Sequence, residues 1–146
     1  MSNRYEHVTD QLVEVFLNVV EERFPELQNL KVYLVFDLKK RMNRGKFVLA
    51  SIEKASSKIK FFTETEDNPE GYDLILIVNK NTFDIASDKD RKRIISHELR
   101  HVLFDEEGKI LLIGHDICDF SSEIELNIDD PRWKERLTTE VLLSYE

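Results

Sequence analysis

The 146-residue sequence contains a single cysteine, Cys118, and no long run of apolar residues. One cysteine cannot form a disulfide within the chain, which is typical of proteins that fold in a reducing compartment. No stretch approaches the roughly 18 apolar residues of a membrane-spanning helix, and the N-terminal residues lack the apolar segment of a secretory signal. We therefore expect a cytoplasmic protein without a membrane span, in which Cys118 is a small buried side chain rather than a ligand or nucleophile.

Positive charge is also scarce, because 21 lysines and arginines stand against 29 aspartates and glutamates, for a net charge of −8. Proteins that bind nucleic acids generally neutralise phosphates with a basic surface, so we do not expect general nucleic-acid binding. A local cluster of basic residues consists of Lys39, Lys40, Arg41, Arg44 and Lys46. We interpret this cluster as a solvated loop. Linkers, repeats and low-complexity segments are missing as well, so we expect one domain over residues 1–146.

The hydrophobic pattern predicts an α+β fold. Apolar residues recur at spacings of three and four over 8–24, which indicates an N-terminal helix that ends before Pro25. Apolar runs rich in β-branched and aromatic residues predict strands, and the last of these runs is hydrophobic enough for the centre of a sheet. The strands are expected at 31–36, 47–52, 58–63 and 72–79. Loops or short connections are expected at 37–46, 64–71 and 81–84.

The C-terminal half is predicted to be mostly helical. Ser87, with Asp90 three residues later, indicates the start of a helix that runs from 88 to about 105 and closes near Gly108. The segments that follow are expected to be a strand or linker at 109–113, a helix at 117–126, a turn at 127–131 and a last helix at 132–143. The apolar face of that last helix is expected to consist of Trp133, Leu137 and Val141.

The helix expected at 88–105 carries the sequence His97-Glu98-Leu99-Arg100-His101, which has the pattern H-E-x-x-H. A separation of four residues places the two histidines one turn apart on the same side of a helix, where both imidazoles can bind one zinc ion. Glu98 is then placed to accept a proton from a water molecule that the ion activates, rather than to bind the ion. The alternative is an amphipathic helix that carries these residues by chance.

A projection of this helix at about 100° per residue places Ile95, Leu99 and Val102 in one apolar arc. The two motif histidines fall at the border of the arc, between the core and a possible cleft. Arg93 and Arg100 fall on the opposite side. This position favours a metal site, because two histidines in the middle of a core need other polar partners.

A catalytic zinc site takes three protein ligands and leaves a fourth position for water. We rank His115 first as the third ligand, because imidazole suits zinc and the intervening linker is long enough to return to the helix. The alternatives are Asp105, Asp116, Asp119 and Glu123. Asp116 is also a candidate for orienting a ligand imidazole or for capping the next helix. His7 is expected on the surface, at the entrance of the first helix.

These residues resemble those of the putative phage metallopeptidases, a family of small zincin-like proteins of phages and prophages. The resemblance rests on the apolar strand at 72–77, on the H-E-x-x-H motif, and on His115-Asp116 followed by Asp119-Phe120. The segment Phe24-Pro25-Glu26-Leu27 before a strand is similar to the N-terminal half of the family. Two departures are Asp119, where glutamate is commoner in the family, and Arg100, where a smaller residue or cysteine is expected.

The resemblance implies a zinc-dependent peptidase that acts on a protein or peptide in the host cytoplasm. The implied domain has an N-terminal helix, a mixed sheet of three to five strands, the motif helix and C-terminal helices. Zinc would be held by His97, His101 and His115, with Glu98 as the general base. A strand edge beside the motif helix would hold an extended peptide, and Tyr72 and Arg100 are candidates for stabilising the oxyanion.

Other classes of protein remain as alternatives to this peptidase. They are a zinc hydrolase of another substrate, a SprT-like protease that acts near DNA, and a non-enzymatic phage or prophage binding or regulatory protein on a zincin scaffold. The acidic composition weighs against the DNA-associated protease. The sequence carries no signal for the oligomeric state.

Overall fold

A computed structural model describes residues 4–113 and 127–145 of the chain. The helix predicted at 117–126 lies outside the described residues, as do His115, Asp116, Cys118, Asp119 and Glu123. The elements in chain order are β1 (Tyr5–His7), α1 (Asp10–Arg23), a 3-10 turn (Pro25–Leu27), β2 (Val32–Asp37), β3 (Met42–Asn43), β4 (Lys46–Phe47), β5 (Ala50–Lys54), α2 (Ser57–Phe62), β6 (Leu74–Asn79), α3 (Lys80–Ile85), α4 (Asp88–Leu99), β7 (Val102–Phe104), β8 (Ile110–Leu112) and α5 (Trp133–Ser144). This α+β arrangement confirms the predicted fold class.

The main sheet is mixed and has the strand order β1-β2-β6-β5. β2 and β6 are parallel, with Val35 opposite Ile77, whereas β5 runs antiparallel to β6, with Ser51 opposite the same Ile77. The residues of β6 are almost all buried, as expected for the interior strand that the sequence predicted. β5 therefore forms one edge of this sheet. Two small antiparallel hairpins, β3–β4 and β7–β8, lie outside it.

The main hydrophobic core joins α1 and α4 to the sheet. Leu12 and Val19 of α1, Leu76 of β6 and Ile95 of α4 are all fully or almost fully buried in one cluster. Leu12 and Val19 belong to the apolar face that the sequence periodicity predicts for α1. Packing of this face against the sheet therefore stabilises the helix. Each buried side chain of this size stabilises the fold by about 1.5–3 kcal/mol relative to an exposed one.

A second hydrophobic cluster attaches the C-terminal helix next to α4. Trp133, Leu137 and Val141 of α5 are buried, as predicted, and they pack with Ile94 of α4 and Phe47 of β4. The turn predicted at 127–131 precedes this helix. As a result α5 and the β3–β4 hairpin are held together beside the motif helix.

The strand predicted at 58–63 is wrong, because this segment forms helix α2. The hydroxyl oxygen of Ser56 accepts a hydrogen bond from the backbone N–H of Ile59 (3.2 Å) and caps the helix. The aromatic residues Phe61 and Phe62, which favoured a strand in the sequence, are largely exposed on this short helix. The helical conformation of this segment therefore depends on a local cap rather than on burial of the aromatic rings.

Two of the predicted connections also contain regular structure. The segment expected as a short connection at 81–84 is helix α3, which Asn79 caps by accepting a hydrogen bond from Thr82 N–H (2.9 Å). The loop expected at 37–46 contains the β3–β4 hairpin, and the strand expected at 47–52 begins later, at Ala50. His7 is exposed as predicted, although it belongs to strand β1.

Candidate metal centre

The motif helix α4 is fixed at its N-terminal end by a cap and by buried ion pairs. The Ser87 hydroxyl oxygen accepts a hydrogen bond from Asp90 N–H (3.2 Å), as the sequence predicted. The Asp90 carboxylate, which is 2% exposed, accepts hydrogen bonds from Arg93 (2.8 Å) and from Arg136 of α5 (2.9 Å). Arg93 also donates to Asp129 (2.6 Å), and this bond holds the pKa of Asp129 below its usual range. The network therefore joins α4 to α5 and to the turn before it.

The prediction that Arg93 lies on the polar side of the helix is wrong, because its side chain is 6% exposed. The helical projection counted apolar residues on α4 alone. Arg93 is buried because Asp129 and Asp130, more than thirty residues later in the chain, neutralise its charge.

The motif helix ends at Leu99 instead of continuing to about 105. The N–H of Arg100 still bonds to the Ser96 carbonyl (3.1 Å), but the N–H of His101 bonds to the Glu98 carbonyl (3.2 Å) in a tighter turn. Strand β7 then begins at Val102, and Gly108, with φ of +82°, forms part of the β7–β8 turn rather than the helix end. The last turn nevertheless keeps the spacing of four residues between the motif histidines.

The structure brings His97, Glu98 and His101 together. One imidazole nitrogen from each histidine and one Glu98 carboxylate oxygen all lie within 4.8 Å of one another, and all three residues are buried. The two imidazole rings lie 5.8 Å apart between centroids and are nearly perpendicular, at 84°. Two imidazoles at this separation suit zinc and related transition-metal ions, and the Glu98 carboxylate lies beside them.

The imidazole of His101 is oriented by the end of strand β8. Its Nδ1 hydrogen-bonds to the Ile113 carbonyl, and the Ile113 N–H donates to the His101 carbonyl (2.8 Å). Because a carbonyl oxygen accepts but cannot donate, this bond assigns a proton to Nδ1, and in the neutral imidazole the nitrogen that can bind a metal ion is then Nε2. A backbone carbonyl that orients a ligand imidazole in this way is a common feature of metal sites, so the residues fit a bound metal ion.

Burial raises the pKa of Glu98 from 4.5 to about 8, against the opposing charges of Lys134 and Arg41. Desolvation disfavours the charged form of a carboxyl group, and nearby cations favour it. A perturbed acid of this kind beside two imidazoles is typical of a catalytic centre. Its carboxylate can therefore exchange a proton near neutral pH.

The three motif residues line a cleft of about 600 Å³. One wall is the edge strand β5, through Ala50, Ser51 and Ile52, and the β3–β4 hairpin adds a second wall. Lys134 of α5 and Ile113 complete the lining on the other sides. A concave site with converging polar groups is where a substrate is expected to bind.

The other sequence candidates that the structure describes, Asp105, Tyr72 and Arg100, lie outside the cleft lining. Asp105 belongs to the β7–β8 turn, where its carboxylate accepts hydrogen bonds from the backbone N–H groups of Glu107 and Lys109 (both 2.8 Å). Tyr72 packs against the Tyr33 ring, and the Arg100 guanidinium lies 4.6 Å from the centre of the Phe24 ring. Neither Tyr72 nor Arg100 is among the residues that line the cleft.

Sequence reasoning missed the part of the site that α5 and the β3–β4 hairpin contribute. Lys134 had no sequence signal, because it lies more than thirty residues after the motif and reaches the cleft only through the packing of α5. The hairpin did have a sequence signal, because Gly45, a typical turn residue, stands in the middle of the basic cluster.

The family described as "Putative phage metallopeptidase" has a model that matches residues 5–142. The chain belongs to this family. At the family level it is a metallopeptidase, so a metal ion and a protein or peptide substrate are implied, and the resemblance seen in the sequence is confirmed. Members of the curated set of proteins give no match to the chain. None of the helices in residues 4–113 and 127–145 of the protein is long and apolar enough to span a membrane.

Proposed function

We propose that the protein is a zinc-dependent peptidase, in which His97, His101 and His115 hold the zinc ion and Glu98 is the general base. The observation that carries this proposal is the meeting of two imidazoles and one buried carboxylate at the wall of a cleft. The family assignment adds that the reaction is peptide hydrolysis. We further propose that residues 1–146 act as one domain in the host cytoplasm.

His115 is proposed as the third ligand because of its place in the sequence. It follows Ile113 by two residues, and Ile113 contacts His101 through both its N–H and its carbonyl group. Imidazole is also the ligand type that completes the commonest catalytic zinc sites. Asp116, Asp119 and Glu123 remain the alternatives.

A bound zinc ion would supply Lewis acidity, which activates a water molecule and polarises the substrate carbonyl group. Glu98 accepts the proton from the attacking water and then delivers it to the nitrogen of the leaving amine. A cation bound by the neighbouring histidines, together with Lys134 and Arg41, favours the ionised form of Glu98 that this role requires.

The edge strand β5 is proposed to hold the substrate. In the part of the chain that the structure describes, β5 pairs with β6 on one side and lines the cleft through Ala50–Ile52. Its free backbone groups can therefore pair with an extended peptide, as in other proteins that bind peptides by strand addition. The scissile bond would then lie next to Glu98.

The first experiment is to measure the zinc content of protein purified without a metal-chelating tag, by plasma mass spectrometry. We expect about one zinc ion per chain, a loss of zinc affinity of about tenfold or more in His115→Ala, and unchanged zinc in the control His7→Ala, whose residue is exposed in β1. No zinc in the wild type, even after incubation with the ion, would overturn the proposal. Unchanged affinity in His115→Ala would move the third ligand to Asp116, Asp119 or Glu123.

A peptidase assay on the zinc-loaded protein tests the reaction itself. Glu98→Gln should keep the zinc but lower the rate by about 100-fold or more, because a general base contributes that much. Hydrolysis that survives this substitution would exclude Glu98 as the base. A zinc-loaded protein that cleaves no peptide in a mixed library would instead favour the non-enzymatic regulatory protein.

A further inference from the structure

The described part of the cleft lining carries an excess of positive charge, although the protein as a whole carries a net charge of −8. Among the described residues that line it, Arg44, Lys46 and Lys134 carry positive charge and Glu98 carries the one acidic group. The basic cluster that the sequence suggested to be a solvated loop thus contributes two of its members to the substrate cleft. The proposed peptidase mechanism uses neither Arg44 nor Lys46, and it uses Lys134 only as a charge that favours the ionised form of Glu98.

Arg44 and Lys46 are held in place by a tight hairpin. The turn consists of Arg44 and Gly45, with φ of +53° and +76°, between the paired residues Asn43 and Lys46. Positive φ at both positions is characteristic of a two-residue turn that matches the twist of its strands. The hairpin is therefore a defined structure in which the positions of both cations are fixed along the backbone.

The hairpin is also anchored to the helix that carries the third cation. Phe47, next to Lys46, is buried in the cluster with Trp133, and its ring lies 6.1 Å from that of Tyr145. Lys134 directly follows Trp133 in α5. Packing of the second hydrophobic cluster thus places the backbone segments that carry all three cations beside the same cleft.

These cations differ in their surroundings from many other basic residues of the protein. Lys60, Lys89 and Arg136 each have a carboxylate oxygen within 4.0 Å. Within residues 4–113 and 127–145, no such ion pair is formed by Arg44, Lys46 or Lys134. Three cations that face one concave site without a carboxylate partner from this part of the chain attract an anionic ligand to it.

We propose that Arg44, Lys46 and Lys134 form a subsite that recognises a carboxylate group of the substrate peptide. Arg44 can bind a carboxylate through two parallel hydrogen bonds, whereas the two lysines act as point charges. The carboxylate belongs either to an acidic side chain near the scissile bond or to the C-terminus of the peptide. The inference rests on the proposed function for its substrate class, but it can be tested by binding alone. A nucleic acid fits less well, because the cleft is small and the rest of the chain is acidic.

The test measures the binding of three peptides to the Glu98→Gln protein, which prevents cleavage. All three share one apolar sequence and carry a neutral fluorophore. The first has glutamates and an amidated C-terminus, the second has glutamines and a free C-terminal carboxylate, and the third has glutamines and an amidated C-terminus. Dissociation constants are measured by fluorescence anisotropy, with and without zinc, at low and high salt.

We expect the first or the second peptide to bind about tenfold more tightly than the third, because exposed charge pairs contribute about two- to fivefold each and three cations act together. The first peptide reports side-chain recognition and the second reports recognition of the C-terminus. The preference should weaken at high salt. In the variant Arg44→Asn/Lys46→Gln/Lys134→Gln the ratio should fall towards one, where asparagine suits the positive φ at position 44. The control Lys40→Gln removes one charge of the same basic cluster outside the cleft lining and should keep the ratio.

Equal binding of all three peptides would overturn the proposal, as would a ratio that survives in the triple variant while that variant melts within about 2 °C of the parent. Displacement of the peptides by single-stranded DNA at lower concentration than by the glutamate peptide would also overturn it, in favour of a nucleic-acid ligand. The two proposals fail separately. Loss of zinc binding or of Glu98-dependent hydrolysis refutes the peptidase, whereas equal cleavage of all three peptides by the zinc-loaded wild type refutes only the subsite.

Discussion

The buried Glu98 should make the metal-free protein less stable as the pH rises. Its pKa is about 8 in the folded protein, against 4.5 as its ordinary value. Such a carboxyl group is protonated in both states below its ordinary pKa, and there it does not lower the free energy of unfolding. As the pH rises above that value, the free energy of unfolding decreases until the pH exceeds the pKa of the folded state. At about 1.4 kcal/mol per pKa unit, this loss of free energy of unfolding is at most about 5 kcal/mol. This is comparable to the whole stability of a small domain, about 5–15 kcal/mol.

The substitution Glu98→Gln removes the ionisable group but keeps its size. We expect the chelator-treated variant and wild type to have similar free energies of unfolding near pH 4.5, and the variant to be more stable by about 2–5 kcal/mol near pH 8.5. Urea unfolding at several pH values between these limits measures the difference, and the contributions of other titrating groups cancel in the comparison. Two stability curves that run parallel over this pH range would refute the reasoning. Zinc added to the wild type should reduce its loss of stability at high pH, because a nearby cation favours the ionised carboxylate.

Three further predictions concern the elements that hold the motif helix, and all are measured as changes in the free energy of urea unfolding. Asp90→Ala should destabilise the protein by about 1.5–3 kcal/mol, because it removes the buried carboxylate that accepts hydrogen bonds from both Arg93 and Arg136, whereas Asp88→Ala, at a side chain that is 96% exposed, should cost less than about 1 kcal/mol. An equal effect of the two substitutions contradicts the assigned network. Ser87→Ala should cost about 1 kcal/mol through loss of the helix cap, and no change would mean that the cap is not formed in solution. Leu137→Ala should cost about 2–5 kcal/mol because its side chain is fully buried, and a loss no larger than that of Leu143→Ala, at an exposed position, argues against the packing of α5.

The elements that the sequence predicted well are those whose own apolar pattern decides their packing. α1 and α5 have apolar faces at helical spacing, and β6 is hydrophobic along its whole length. Each of these patterns is local, and the structure buries the same residues. The spacing within His97–His101 is local as well, since one turn of helix is enough to place both imidazoles on one side.

The elements that the sequence did not predict depend on single hydrogen bonds or on distant partners. α2 and α3 are short helices, each capped by one polar side chain, and their composition does not identify them. The motif helix ends at Leu99, where the backbone of His101 instead pairs with Ile113, the residue after β8, and the sequence near the helix end carries no signal for this contact. Arg93 is buried because of aspartates far along the chain. For the end of the motif helix and for Arg93, the deciding contact lies outside the window in which a sequence pattern can be recognised, whereas the caps of α2 and α3 are local but each consists of a single side chain.

The position of β5 also affects how the protein avoids self-association. An unpaired strand edge is a template for pairing with the edge of another molecule, and it leads to aggregation when it is long, flat and accessible. The edge of β5 lies in a concave cleft, and its last two residues, Glu53 and Lys54, are charged and exposed. Charged residues on an edge strand and a concave surrounding both hinder the approach of a second sheet. The same concavity that is proposed to hold a substrate therefore also makes this edge a poorer template for pairing with other copies of the chain.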